Sequence, residues 1–451
     1  MIKAIQLKAI IIAFTISAMQ QSLQAQEVSR ELFIEQAVKT AQEIDPWLDG
    51  NRHLEDATKS MSVAAGSLPD PQVSLGLANL PTDSFSFNQE GMTQVKLGVS
   101  QMFPQGNSLS IKRRQLELQA DAFPYQREDR NAKVAVTVSH LWLDAYKAQR
   151  SIALIEENRS LFEQLTDIAM SSYSSAMGKT RQQDIIRAQL ELTRLNDRVT
   201  MLGQTKDGFV EKLSEWLSIE NAEDADFEIA DHLPDQMVSH PEFVNAEMIV
   251  REDDLYQTIS DHPLMKVLEQ RIEVTGAGVD LAKQKYKPAW GLNASYGRRN
   301  ADPFGNGRSD ALTVGVSLSV PLFTANRQDK EYSAAVSKRE AVRTEKWLLL
   351  RKLKAGFETS KAQLIKLDER KTLYESELLP QMAEQAEASL TAYTNDDGDF
   401  AEVVRARIAE LNAQIDALNI DVERQKTIVQ INYYFTASDM AEETEYLGDA
   451  R

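Results

Sequence analysis

Five histidines, His53, His140, His232, His240 and His262, are the residues of this 451-residue chain best suited to hold a metal or move a proton. None belongs to an HExxH arrangement and no two form a close ligand pair. His240 and His262 each precede a proline, and Met237, Met248 and Met265 lie near them in sequence. A soft-metal relay is imaginable there, but scattered histidines and methionines mostly serve packing or surface, and no metal site is assigned. The chain has no cysteine, which removes thiolate ligands, thiol nucleophiles and disulfides. It has no phosphate-cradling glycine loop and no nucleophile elbow. Paired carboxylates such as Asp253 and Asp254 stand in an acidic run and read as solvated charge. Catalytic and cofactor chemistry are therefore not expected.

The composition narrows the class further. A hydrophobic share of 42% suits a folded protein, and a formal net charge of −18 argues against a nucleic-acid partner. Residues 1–25 have the form of a signal peptide: Lys3 and Lys8, an apolar run from Ala9 to Ala18, and a cut after Ala25 in SLQAQ. Without a cysteine near that cut, lipid attachment is excluded. No later apolar run approaches the roughly 20 residues of a membrane helix. An exported chain with no membrane helix is expected.

The remainder reads as two copies of one plan. Pro46 and Pro263, Pro71 and Pro288, and Pro104 and Pro321 are matched landmarks; 263 less 46, 288 less 71 and 321 less 104 each give 217. Tyr173 and Tyr393, and Gly178 and Gly398, repeat at 220 (393 less 173). Such spacing implies duplication, with a short insertion in one copy. The first repeat is placed at 26–218, an acidic connector at 219–257, the second repeat at 258–436 and an acidic tail at 437–451.

Each repeat holds a helix, two strands and a long helical hairpin. Strands are expected at about 71–80, 92–103, 288–298 and 311–320, from alternation of period two. Val95, Leu97 and Val99 share one face, opposite Gln94, Lys96, Gly98 and Ser100. Val314, Val316 and Leu318 likewise oppose Gly315 and Ser317. Small polar residues behind an apolar face suit a wall between lipid and water. The hairpins have tips at about 173–182 and 393–400. Their returning helices carry three-four seams: Ile185, Ala188, Leu192, Leu195, Val199, Leu202, Lys206, Phe209, Leu213 and Trp216, then Val404, Ile408, Leu411, Ile415, Leu418, Val422, Gln425 and Val429. Pro124 should kink the outgoing helix of the first repeat, whose stretch would reach about 100 Å.

Four strands cannot close a barrel, and unpaired backbone groups in hydrocarbon cost several kcal/mol each. A strand of about ten residues covers roughly 33 Å, enough for a thin bilayer at a tilt. Identical copies would supply the missing strands, and the helices would project into the periplasm. Two other readings exist: a small soluble sandwich packed on helices, and a helical spacer that transports nothing. The second leaves the polar strand face without a purpose.

The order of these parts, with LPDPQVSLGLANLP, QMFPQG, SVPLF, QQDIIRAQLELTRL and LLPQMAEQAEASLTAY followed by GDFAEVVRAR, resembles the TolC-type outer-membrane efflux channels from about Glu31 to Phe435. The resemblance implies an α+β membrane protein: a homotrimer with a twelve-stranded outer-membrane β-barrel continued by a long periplasmic α-helical barrel. It implies a periplasmic adaptor, an inner-membrane pump of the RND type, surrounding outer-membrane lipid and no covalent chemistry. The QQDIIRAQLEL and GDFAEVVRAR segments look most like the heavy-metal cation branch. Drugs and secreted proteins are the alternative cargoes. In this family side-chain links and acidic rings close the periplasmic tip. Asp184 and Tyr393 match positions of such a link, and Glu402 matches an acidic ring. Arg405 occupies the next ring position, where it would give a salt bridge or a cationic ring; otherwise Glu402 and Arg405 are plain surface charges. Gly178 and Gly398 mark the tip turns, and Gly398 stands where the prototype has an arginine.

Overall fold

The computed structural model describes residues 30–174, 182–217, 227–245, 251–395 and 398–437. The expected signal peptide, Gly178 and the tail after residue 437 lie outside the described residues. In chain order the elements are β1 (Arg30–Leu32), α1 (Ile34–Ile44), α2 (Pro46–Gly66), β2 (Gln72–Ala78), β3 (Gln94–Phe103), α3 (Ser108–Ala120), α4 (Ala122–Ser174) and α5 (Gln182–Leu217). There follow β4 (Phe227–Ile229), α6 (Pro241–Val244), α7 (Glu252–Ser260), α8 (Pro263–Gln284), β5 (Ala289–Arg298) and β6 (Ala311–Ser319). α9 (Gln328–Leu373), a π-helical turn (Tyr374–Leu378), α10 (Leu379–Thr394) and α11 (Phe400–Tyr434) complete the chain. All four expected strands are present, within one to two residues of their expected bounds.

Two compact units arise from these elements. One comprises the described parts of Met1–Ile44, Val134–Val238 and Lys361–Gln430; the other comprises those of Asp45–Lys133, Ser239–Ser360 and Ile431–Arg451. In the first unit, β1 and β4 pair in parallel, Leu32 beside Ile229. This strand pair is absent from the sequence reading; β1 falls in the expected first repeat and β4 in the segment expected to be only a connector. Trp142 sits beneath it, stacks on Tyr146 at 5.5 Å and donates its indole N–H to the Leu32 carbonyl at 2.8 Å. The seam residues bury as their spacing requires: Ala188, Leu195 and Leu213 on α5, and Val404, Leu411 and Val422 on α11. Gln425, an amide in an apolar row, accepts a hydrogen bond from the Gln236 backbone N–H at 3.1 Å. That bond satisfies a group whose burial would otherwise cost about 1–3 kcal/mol.

Proline and acid chemistry set the helix ends. Asp45 caps α2, its carboxylate accepting from Trp47 N–H at 3.0 Å, with Pro46 in the first turn. The break expected near Pro124 falls at Asp121, between α3 and α4. A proline ring collides with the carbonyl four residues back, here that of Ala120, so the interruption precedes the proline. Pro380 acts in the same way: the π turn ends immediately before it, and Leu379 N–H reaches the Tyr374 carbonyl, five residues back. Asp253 and Asp254 lie in the first turn of α7, where the helix dipole favours negative charge.

The second unit contains the sheet β2-β3-β5-β6, antiparallel throughout. Its helices are joined by buried polar contacts. His262, fully buried before α8, accepts from Leu264 N–H through Nδ1 at 3.2 Å, and its Nε2 lies 3.1 Å from the Tyr433 carbonyl. The Tyr433 hydroxyl donates to Asp129 at 3.0 Å, and Lys133 pairs with the same carboxylate at 2.7 Å. Burial pushes the imidazole pKa down to about 4 from 6.5.

A histidine depressed in the folded state contributes stability that is complete above its ordinary value and lost as pH falls towards the folded one. The protein should therefore lose about 2 kcal/mol between pH 7.5 and pH 5 from this residue. His262→Gln should flatten that pH dependence in thermal melts followed by circular dichroism. Equal acid sensitivity in both proteins would contradict the assignment.

Candidate channel wall and tip

The strand register builds an apolar surface that only Gln101, beside Leu292, interrupts, and Arg298, beside Val95, bounds at one end. Leu75, Leu97, Tyr296 and Leu312 stand side by side across the four strands. Val73, Val99, Ala294 and Val314 form the next row, then Leu292 beside Val316, then Phe103, Trp290 and Leu318. Val95 extends the face beside Leu77. These side chains point away from their own chain: Val95 is 40% exposed, Leu97 50%, Val99 47%, Val314 72%, Val316 61% and Leu318 47%. An ordinary sheet buries such a face.

The opposite face is small and polar. Ser74, Gly98, Ser295 and Thr313 form one row, and Gln72, Ser100, Asn293 and Gly315 another. Glycines there let a neighbouring amide lie flat: a Cβ on Gly315 would come within 2.8 Å of the Asn293 side chain. Lys96, between Gly76 and Gly297, is the single charged residue on this face. The sequence showed Lys96 on the polar side, but its isolation appears only once four strands are in register. β2 and β6 are the sheet's outer strands, each with one side unpaired within the chain.

The tip residues belong to the other unit. α5 begins at Gln182 and places Asp184 in its first turn, only 6% exposed. A carboxylate there also opposes the positive end of the helix dipole. α10 ends at Thr394 with Tyr393 half-buried, its ring edge-on to Phe400 at 5.4 Å. Phe400, Val403 and Val404 join a core with Phe162, Leu165 and Ala188, and Tyr393 packs against it. Asp399 starts α11, accepting Ala401 N–H at 3.1 Å. Glu402 and Arg405 form an exposed ion pair three residues apart on α11. Such exposed pairs contribute little to stability.

A second ion pair was not foreseen. Arg407, 12% exposed, bridges Glu387 on α10 and Glu410 on α11, both at 2.9 Å. It ties the two helices of the hairpin and was legible only as another charge in VVRARIAE. Gly398 has a definite steric role: a Cβ there would lie 2.6 Å from the Tyr393 backbone nitrogen. A side chain, such as the arginine of the prototype, does not fit this turn.

Three of the five histidines are built into structural contacts, while His53 and His232 are exposed. Besides His262, His240 contacts Glu242 at 2.9 Å and packs on Phe435, while His140 reaches the Lys426 carbonyl at 3.2 Å. Among the described residues no group of three or more acidic, histidine or cysteine side chains is gathered to hold an ion. No described helix is long and apolar enough to cross a membrane.

No family model and no curated protein matches the sequence. Solved structures do match. CusC, described for its folding and transmembrane channel formation, superposes with a TM-score of 0.73 at 12% identity, covering 90% of this chain and 92% of that one. The chain shares the fold of CusC. The outer-membrane protein VceC of Vibrio cholerae gives 0.71 at 12% identity, covering 90% and 96%. The outer-membrane channel CmeC of Campylobacter jejuni gives 0.69 at 13% identity, covering 92% and 88%. The apolar strand face and polar reverse are thus found on a scaffold shared with outer-membrane channels.

Gly398→Ala should displace the tip turn, costing roughly 1–3 kcal/mol through overpacking against backbone. Limited proteolysis should cut this variant between α10 and α11 sooner than the parent. An unchanged cleavage rate would show that the turn accommodates the methyl group.

Proposed function

We propose that this protein is a TolC-type channel: the outer-membrane exit duct of a tripartite efflux system, passive in itself. A homotrimer would close twelve strands into one barrel in outer-membrane lipid and continue it as a periplasmic helical barrel. The observation that carries this reading is the four-stranded sheet, apolar and exposed on one side, polar on the other, with both edges open. An adaptor and an inner-membrane pump, of the RND type by resemblance, would deliver the cargo. The two-copy spacing of the sequence agrees with the observed order, in which a strand pair precedes a long helical hairpin twice.

Metal cations are the proposed cargo, on the resemblance of QQDIIRAQLEL and GDFAEVVRAR to the cation branch. The duct needs no ion site of its own, because selection belongs to the pump. Deleting the gene should sensitise cells to particular metal ions; unchanged metal tolerance with increased dye retention would assign organic cargo instead.

Asp184, Tyr393, Glu402 and Arg405 are the proposed tip gate, supported by their place at the hairpin ends. In planar bilayers the parent should conduct weakly and Asp184→Ala with Tyr393→Phe several-fold more. No conductance from either protein would favour a spacer that transports nothing. Three copies of Lys96 would face the barrel lumen and repel cations there. Lys96→Glu should move the reversal potential towards cation selectivity under a salt gradient, and an unmoved potential would place Lys96 away from the ion path.

A further inference from the structure

The helices of the second unit repeat the order of the strands they serve. α2 precedes β2, α3 follows β3, α8 precedes β5 and α9 follows β6. α2 packs on α3 and α3 on α8. α8 is tied to α9 by Lys285–Glu331 at 2.9 Å, Arg271–Glu345 at 2.9 Å and Glu269–Lys346 at 2.7 Å. α2 and α9 are therefore the outer helices of this layer, below the two open strands β2 and β6.

Both outer helices carry apolar side chains with no cover. On α2, Trp47, Leu54 and Met61 recur every seven residues, with exposures of 40%, 60% and 58%. They flank the buried row of Leu48, Asn51 and Ser62 that faces inward. A heptad-spaced apolar row is a helix-packing seam. On α9, Trp347 is 61% exposed and Leu348 57%, while Val342, Leu353 and Phe357 face inward. Tryptophan is the side chain most often found anchoring a protein interface. Charges complement the apolar residues: among the described residues Asp56 on α2, and Arg351 and Lys352 on α9, form no ion pair.

The contacts within the layer also set heights. Lys346 is level with Glu269 through their ion pair. Asn107 on Gln284 sets the α3–α8 pairing, which carries Glu269 to about Ala122. Gly66 lies against the Arg113 side chain, a Cβ there falling 3.2 Å from it, which brings Asp121 level with about Thr58 on the antiparallel α2. Trp347 is thus level with about Thr58, between Leu54 and Met61, within about one helical turn.

We propose that the covering partner is a second copy of this chain: Trp347 and Leu348 of one copy seat between Leu54 and Met61 of the next, beneath a β6-to-β2 strand pairing. This rests on the trimer reading and adds its seam. Sheet continuity favours a copy over any other occupant, because the same neighbour satisfies the open strands and the open helices together. Arg351 and Lys352 then lie near Asp56 of the adjacent copy.

The chain has no cysteine, so introduced pairs report without background. Trp347→Cys combined with Thr58→Cys, oxidised in outer-membrane fractions, should give covalent trimers on non-reducing gels. Each single variant should give monomers, and Trp347→Cys with Asp49→Cys, more than two turns lower, should link poorly. Leu54→Cys and Met61→Cys serve as alternates should position 58 point inward. Native mass measurement of the parent separates the two levels of inference. Trimers whose Trp347→Cys links to none of the three α2 positions would overturn the seam and leave the trimer. A monomeric parent would remove both. As an independent readout, Trp347→Asp should lower the temperature at which trimers dissociate in detergent by several degrees, with helix content unchanged. An unaltered dissociation temperature would count against the seam.

Discussion

An apolar sheet face that its own chain leaves uncovered is the constraint from which the other features follow. Rows such as Leu75, Leu97, Tyr296 and Leu312 would cost a soluble protein roughly 25 cal/mol for every Å² left in water. Hydrocarbon removes that penalty and introduces another, since each unpaired N–H and C=O of β2 and β6 is then stranded without water. One sheet cannot satisfy both demands. The proposed closure through further copies would, and it would turn the serine- and glycine-rich reverse face into the lining of an aqueous space.

The helices inherit their arrangement from that sheet. Strand order is β2-β3-β5-β6, and the attached helices follow it as α2, α3, α8 and α9. The ties between α8 and α9 are ion pairs with both partners partly exposed, Arg271 with Glu345 and Lys285 with Glu331. Such pairs fix register more than they add stability. The buried contacts are fewer and better satisfied: His262, Tyr433 and Asp129 each have a partner. A layer locked in height in this way presents its two outer helices at defined levels, which a repeating assembly requires.

Much of this was legible in the residues because period is a strong signal. Val95, Leu97 and Val99 alternate cleanly, and the α5 and α11 seams keep their three-four steps over many turns, so the strands were found close to their bounds and the long helices were recognised as helices. Other features leave no periodic trace. β1 and β4 are three residues each, and their pairing joins Leu32 to Ile229 across most of a repeat. The π turn before Pro380 occurs inside a helical pattern that continues through it. The solitary charge of Lys96 and the clasp of Arg407 are properties of register and of tertiary contact, which a linear pattern does not encode. Gly398 was visible as a turn residue, but the backbone of Tyr393 pressing on it was not.

Charge at the proposed tip is held close to its own helices. Tyr393 packs against a core that α11 shares with α4 and α5, and Asp184 is buried in the first turn of α5. Glu402 and Arg405 neutralise one another within a single helix, and Arg407 fastens α10 to α11. Residues that stabilise their own hairpin cannot swing out singly without unpacking it. On the proposed gate reading, opening would be a movement of whole helices, and the π turn ahead of α10 is where the backbone already departs from regular helix geometry.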